Sequence, residues 1–252
     1  MPELPSLLEM LKAGVHFGHQ KSKWHPKMRA YIYTVRHGIH ILDLEKTSAA
    51  LETALTFLRS IAAGGGTVLF VSLKEQADKP IRQAAEHTLQ PYIVGRWLGG
   101  VFTNFAVIGK LLRRLDTLET EKKAGVWEEK YSKKEQLELQ RDFDKLEDAV
   151  GGIRNLTKLP QAIFLVGTRE AKNAIREARK VGVPVVALVD TNTNPSLIEY
   201  PIPANDDAMR AIEMMVALAA EAVLEGQKIA ADGALAAAAQ VVTPPVAHVA
   251  VL

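Results

Sequence analysis

The chain has 252 residues, 48% apolar and 24% charged, enough for one large domain or for one domain with an excursion. It has no cysteine, which excludes disulfides and thiolate metal sites, and no apolar run near the roughly 20 residues that span a bilayer. Its net charge is only +2, so the arrangement of charge along the chain says more about partners than the total does.

The first element is the segment AGVHFGHQKSKWHPKMRAYI, Ala13 to Ile32. From Met10 to Leu42 there is no Asp or Glu, while Lys12, Lys21, Lys23, Lys27, Arg29 and Arg36 all fall there. Five of the seven histidines join them: His16, His19, His25, His37 and His40. Zinc is disfavoured, because His16, His19 and His25 lack paired ligand spacing and no cysteine completes a set. Six cations without an acid suit phosphates instead. Trp24, Tyr31 and Tyr33 add flat faces for stacking or for anchoring the segment. Gly14, Gly18 and Pro26 oppose a long helix, so an extended, shape-fitting segment is expected. The bland alternative is a solvated basic loop, but such loops normally mix their charges. The region before it has no basic leader followed by an apolar stretch, so no export signal is read and a cytoplasmic home is expected.

Two later segments resemble each other. TVLFVSLKEQADKPIRQAA (Thr67 to Ala85) and QAIFLVGTREAKNAIREAR (Gln161 to Arg179) each run from a short apolar stretch through a small turn into a charged helical pattern. Such runs suit buried parallel strands. Gly64–Gly66 precede the first strand and are expected to end a helix. Ser72 and Glu75 have capping-box spacing, and Thr168 is placed to cap the second helix. Further strands are expected in VPVVALVD and IEYPIP, with a helix from Asp206 to Glu225. The alternation predicts an α/β fold of Rossmann or flavodoxin type, a doubly wound and mainly parallel sheet.

Between the similar units, YIVGRWLGGVFTN leaves a strand. Arg96 is a candidate RNA contact. Trp97 with Gly99 and Gly100 reads as a structural hinge, and Asn104 or Thr103 as a helix cap. From there to about Gly152 the pattern is helical, broken near Ala124–Val126. Phe105, Ile108, Leu111, Leu115 and Leu118 make one narrow seam, and Leu139, Phe143, Leu146, Val150 and Ile153 another. Lys110 to Glu147 holds ten Lys/Arg and ten Asp/Glu. An inserted antiparallel coiled-coil hairpin over 104–151 is expected to project, the alternative being two helices lying flat on the sheet. The α/β domain is then 1–103 with 152–227. Residues 228–252, Ala/Val-rich with a Pro pair, are expected to be a disordered tail.

Catalysis finds little support. The two strand-to-helix turns, VSLKE and VGTRE, carry neither G-x-G-x-x-G nor a P-loop, so a nucleotide-binding enzyme is disfavoured, and no G-x-S-x-G or H-E-x-x-H is present. No cofactor is required. Asp190, Asp206 and Asp207 stand at a strand end and a helix start, where they can cap helices or hold a structural divalent cation such as Mg²⁺.

LKAGVHFGHQKSKWHPKM, IHILDLEKT, RWLGGVFTN, AVGGIRN, VALVDTNTNP and IPANDDAMRAI, in this order from Leu7 to Gly226, resemble the bacterial small-subunit ribosomal protein S-two (S2) family. Val101–Phe102 depart from the family's Met-Leu-like pair, and residues after Gln227 follow no pattern of it. The resemblance implies a non-catalytic Rossmann-like protein of the small ribosomal subunit, added late in assembly at the head–body junction on the solvent side. It implies small-subunit ribosomal RNA as partner, and a role in docking ribosomal protein S-one (S1), which brings messenger RNA. No membrane and no small-molecule substrate is implied. Carried over to this chain, the family's N-terminal signature covers His16, His19, Lys21, Trp24, His25 and Lys27, and its second covers Arg96, Trp97, Gly99, Gly100 and Asn104. Together with Lys23, Arg29 and Arg36 these form the expected RNA-binding and hinge residues. A protein adaptor that docks through the helical hairpin is the competing reading.

Overall fold

The structure, a computed structural model, describes residues 3–241. Five strands form one parallel sheet: β4 (Val68–Ser72), β5 (Tyr92–Val94), β6 (Ala162–Val166), β7 (Val185–Val189) and β8 (Tyr200–Pro203), in the spatial order β5-β4-β6-β7-β8. Every residue of β4, β6 and β7 is buried, which is why these runs are apolar throughout rather than alternating. Period two still operates beneath that uniformity. Val68, Phe70, Phe164, Val186 and Leu188 point into one core cluster, while Leu69, Val71, Leu165, Ala187 and Val189 point into the other. In-register pairs Phe70↔Phe164 and Phe164↔Val186 carry the alignment across the sheet.

Helices cover both faces. The first core lies under α2 (Leu44–Ala63), α3 (Glu75–Thr88) and α8 (Met209–Val241). Asp43 caps α2 by accepting from the N–H of Glu45 at 3.1 Å, and Leu51, Ala54, Leu55, Leu58 and Ala62 form its buried stripe. Gly64 and Gly65 end it, Gly65 with φ of +71°. At the crossing of α2 and α8, a Cβ on Gly226 would lie 2.4 Å from the Arg59 carbonyl oxygen, so only glycine lets these helices approach. The second core is closed by α7 (Lys172–Val181), the turn 97–102 and the roots of α4 (Phe105–Lys123) and α6 (Lys133–Val150). The chain passes from β4 through α3 to β5 on one side, then returns through α4 and α6 to β6 on the other. This reversal makes the sheet doubly wound, as the alternation of elements predicts.

The insertion is helical, with the short α5 (Val126–Lys130) at the expected break. Ile108, Leu112, Leu115, Val150 and Ile153 belong to the second core, whereas the buried Leu118 and Trp127 belong to neither. Lys122 Nζ lies 5.8 Å from the Trp127 ring and 5.2 Å from that of Phe143. Leu118 and Trp127 thus lie outside both cores, whereas Phe105, Leu111, Phe143 and Leu146 of the two seams pack against the second core.

Several local expectations are corrected. The basic segment is not merely extended: β1 (Phe17–Gln20), β2 (Ile32–Arg36) and β3 (Ile39–Leu42) form an antiparallel sheet in the order β1-β3-β2, with a 3₁₀ turn over Pro26–Tyr31. It is preceded by α1 (Leu7–Ala13), whose capping box is Ser6 with Glu9. No capping box forms at Ser72, since α3 starts behind Lys74 and Ser72 Oγ accepts from the Lys74 N–H at 3.1 Å. Thr168 caps nothing, because a turn over 168–171 intervenes and α7 starts behind Ala171. Asn104 stands at the start of α4 without a side-chain cap bond. The backbone of α8 continues to Val241, so the boundary expected at 227 falls inside a helix, and 242–252 of the expected tail lie outside the described residues.

Candidate functional site

The carboxyl ends of β6, β7 and β8 form the edge where doubly wound sheets hold their ligands. Here the basic segment itself is bound to that edge. The His19 N–H donates to Thr191 Oγ1 at 2.9 Å, the His25 N–H to the Thr191 carbonyl at 2.7 Å, and His19 Nδ1 meets Asp190 Oδ2 at 2.9 Å. Gly18 permits this contact, since a Cβ there would lie 2.5 Å from Thr191 Cγ2. Asp190 is 1% exposed and also accepts from the Thr191 hydroxyl at 3.0 Å. The hydrogen bond to Asp190 raises the His19 pKa above the usual imidazole value against the opposing effect of burial.

Beside this clasp, Lys74 Nζ lies 2.6 Å from Asp206 Oδ1 and 2.7 Å from Asp207 Oδ1. Burial pushes Asp206 up to about 7 despite the Lys74 ammonium, and neighbouring Asp190 and Asp207 push the same way. Burial lowers Lys74, but the two carboxylates outweigh it and hold the ammonium above its ordinary value. Ligand atoms of His19, Asp190 and Asp207 all lie within 4.8 Å of one another. The sequence grouped Asp190, Asp206 and Asp207; the structure gathers the first and third around His19 and turns Asp206 onto Lys74. Asp206 Oδ2 remains buried without a partner. One imidazole and two carboxylates are a donor set that fits a divalent cation.

The remaining histidines of the segment do not converge on one centre. His16 lies against Phe17 at 4.0 Å, and burial lowers its pKa. His25 Nδ1 accepts from the Lys27 N–H at 3.2 Å and so starts the 3₁₀ turn. His40 is buried, lowered in pKa by that burial, and its ring lies tilted against Trp24 at 5.2 Å. A zinc site among His16, His19 and His25 is thus not formed.

The cations of the segment are open to solvent. Lys21, Lys23, Lys27, Arg29 and Arg36 are exposed, and among the described residues none of them joins an ion pair. Met28, 0% exposed, anchors the stretch that carries them into the second core. Trp24, 37% exposed, keeps much of its ring open.

The second block is held by a residue that sequence reasoning missed. Glu177 on α7 accepts from Trp97 Nε1 at 3.1 Å, from the N–H groups of Gly100 (2.8 Å), Phe102 (3.1 Å) and Thr103 (3.3 Å), and from the Thr103 hydroxyl at 3.2 Å. Burial raises the pKa of its carboxyl, but these donors outweigh it, led by Gly100, and leave it below the usual carboxylate value. Gly100 has φ of +94°, which lets its N–H join the others around one carboxylate. Trp97 is buried against Phe102 at 5.2 Å, while Arg96 and Asn104 are exposed. Among the described residues, no hydrogen bond or ring contact joins Arg96 or Asn104 to the basic segment. No spacing rule would have found Glu177, because its five donors lie more than 70 positions upstream.

Among the described residues no helix is long and apolar enough to cross a membrane. A family model, that of ribosomal protein S2, matches residues 10–226, which includes the basic segment, the Glu177-held turn, the hairpin and the acidic cluster. The chain accordingly belongs to the ribosomal protein S2 family, proteins of the small ribosomal subunit that act in translation.

Proposed function

We propose that the chain is a structural, non-catalytic component of the small ribosomal subunit that binds ribosomal RNA through the sheet β1-β3-β2 and its 3₁₀ turn. The observation that carries this reading is the set of five exposed cations at 21, 23, 27, 29 and 36, which form no ion pair among the described residues and are fixed to a rigid edge by His19, His25 and Met28. Cations held in place neutralise phosphates with little ordering cost, and release of counterions then drives association. Exposed Trp24 offers a stacking face beside them. Family membership supports the head–body junction as the place of binding and S1 as a protein neighbour docked there. Exposed Leu7, Leu8 and Leu11 on α1 and Phe17, Tyr33 and Val35 on the small sheet are apolar side chains available to a protein contact.

His19, Asp190 and Asp207 hold a divalent cation in this reading, with Asp206 close by and Lys74 balancing the remaining charge. The ion would fasten the basic segment to the sheet and takes no part in chemistry.

Titration of small-subunit ribosomal RNA with the purified chain at several salt concentrations tests the principal claim. Affinity is expected to fall steeply with salt, and Lys21→Ala or Lys27→Ala to weaken binding and flatten the slope by about one each. Association indifferent to salt would exclude phosphate contacts and favour a pure protein adaptor.

A further inference from the structure

A cleft of about 430 Å³ opens at the carboxyl ends of β6 and β7. One wall is basic: Arg169 from the turn after β6, then Lys172, Arg176 and Arg179. The last three stand at i, i+4 and i+7 on α7, a row about 10 Å long on one helix face. All four are exposed, none is in an ion pair among the described residues, and no carboxylate lines the cleft. The floor is apolar, made by Ile175, Leu197 and Ile198, with Leu197 40% exposed. Two polar atoms at the site lack partners: the hydroxyl of Thr168, a residue 5% exposed, and Asn192 Oδ1. Buried polar atoms are normally satisfied, so both are suited to meeting a ligand.

This combination selects among occupants. A bare phosphate leaves the apolar floor uncovered, and an apolar ligand leaves four cations unmatched. A nucleoside phosphate satisfies both, and three of the cations are guanidinium groups, whose planar fork matches phosphate oxygens. His25 lines the cleft, so its mouth continues into the segment bearing Lys23 and Lys27. That continuity favours a strand over an acidic peptide, because phosphates crossing the N-terminal sheet lead directly to the cleft.

We propose that the cleft seats one unstacked nucleotide of an RNA strand, its phosphate on the Arg169–Arg179 row and its base on the floor of Ile175, Leu197 and Ile198. The proposal rests on the RNA-binding reading and extends it to α7. Asn192 reaches His19 Nε2 through Nδ2 at 3.0 Å, which leaves its carbonyl oxygen to accept from a base amino group.

The test uses the full chain and small-subunit ribosomal RNA, with affinity read by titration and local contact by 2′-hydroxyl acylation at saturating protein. Arg176→Glu and Leu197→Asp alter exposed side chains, and circular dichroism checks that each variant folds. Each is expected to weaken binding at least tenfold and to restore reactivity at one nucleotide that the parent protects. Lys27→Ala should weaken binding while leaving that nucleotide protected. If both cleft variants bind and protect like the parent while Lys21→Ala and Lys27→Ala do not, the cleft assignment falls and the RNA reading stands. If the parent itself binds no ribosomal RNA, both fall. Adenosine or uridine monophosphate saturating the cleft as tightly as the strand would replace the strand by a free nucleotide. A hexaglutamate peptide binding more tightly than RNA would replace it by an acidic protein segment.

Discussion

Glu177 shows how much a single carboxylate can organise. Five donors from the 97–103 turn end on its two oxygens, three of them backbone N–H groups that have no strand or helix to bond. Replacing it with alanine strands those donors and is expected to lower stability by roughly 2–3 kcal/mol, read by denaturant unfolding. The pH dependence has a defined sign. The folded carboxyl titrates below its ordinary value of 4.5, so its contribution is complete above 4.5 and is lost as pH falls through the depressed value. Glu177→Gln should therefore show a shallower loss of thermal stability than the parent between about pH 5 and pH 3; an unchanged profile would mean that the donors do not hold the charged form. Gly18 is the second residue of this kind. An alanine Cβ must displace Thr191, whose hydroxyl also receives the His19 N–H, so Gly18→Ala is expected to cost about 1–3 kcal/mol. The same change should reduce RNA affinity by loosening the segment, which a salt titration beside the parent would reveal.

At the scale of elements, the sheet was the legible part. Uninterrupted apolar runs at Val68, Ala162 and Val185 have few physical alternatives to buried parallel strands, and each became one. The helical character of the insertion was legible from its two apolar seams among balanced charges, although most seam residues, Ile108, Leu115, Val150 and Ile153 among them, pack into the second core rather than only on each other. The N-terminal sheet was not. β1 to β3 are four or five residues each and largely exposed or half-exposed, with two buried positions in β3 alone, His40 and Leu42, so they give no long apolar alternation to read. Helix starts also escaped, because Ser72 and Thr168 had cap chemistry at the right spacing but the turns ran on by several residues. In the candidate site, the basic run was visible as composition. That His19 turns inward onto Asp190 was not, because the two lie 171 positions apart. The hairpin also offers a test of the adaptor alternative. Joining Asp116 to Asp144 by a short turn removes Leu118 and Trp127, which contribute to neither core, while keeping Ile108, Leu112 and Leu115 at the root. The shortened chain is expected to fold and to sediment with the small subunit, whereas an adaptor working through the hairpin would be lost from that fraction.

The whole molecule is electrically divided. Residues 10–42 carry +6 while the entire chain carries +2, so the remaining residues carry −4. A particle of this kind presents one face to a polyanion and keeps the others from binding it indiscriminately. The division has a structural cost, because the basic segment is docked on an acidic spot of the sheet edge, where Asp190, Asp206 and Asp207 crowd together. Lys74 and His19 meet part of that charge, yet burial still raises Asp206 to about 7 and leaves its Oδ2 without a partner. A divalent cation between His19, Asp190 and Asp207 would relieve the repulsion and join chain segments some 170 residues apart. Because such an ion binds only the folded arrangement, it stabilises by mass action, about 2.7 kcal/mol at a hundredfold excess over its dissociation constant. Thermal unfolding of the chelator-treated chain should therefore shift upward by several degrees on addition of Zn²⁺, Mn²⁺ or Mg²⁺, with the nitrogen ligand favouring the first two. His19→Ala should abolish the shift, whereas Lys27→Ala, which removes a cation of the proposed RNA-binding segment, should retain it. A shift surviving in His19→Ala would place the ion elsewhere, and no shift in the parent would leave Lys74 as the sole counter-charge to the three carboxylates beyond His19.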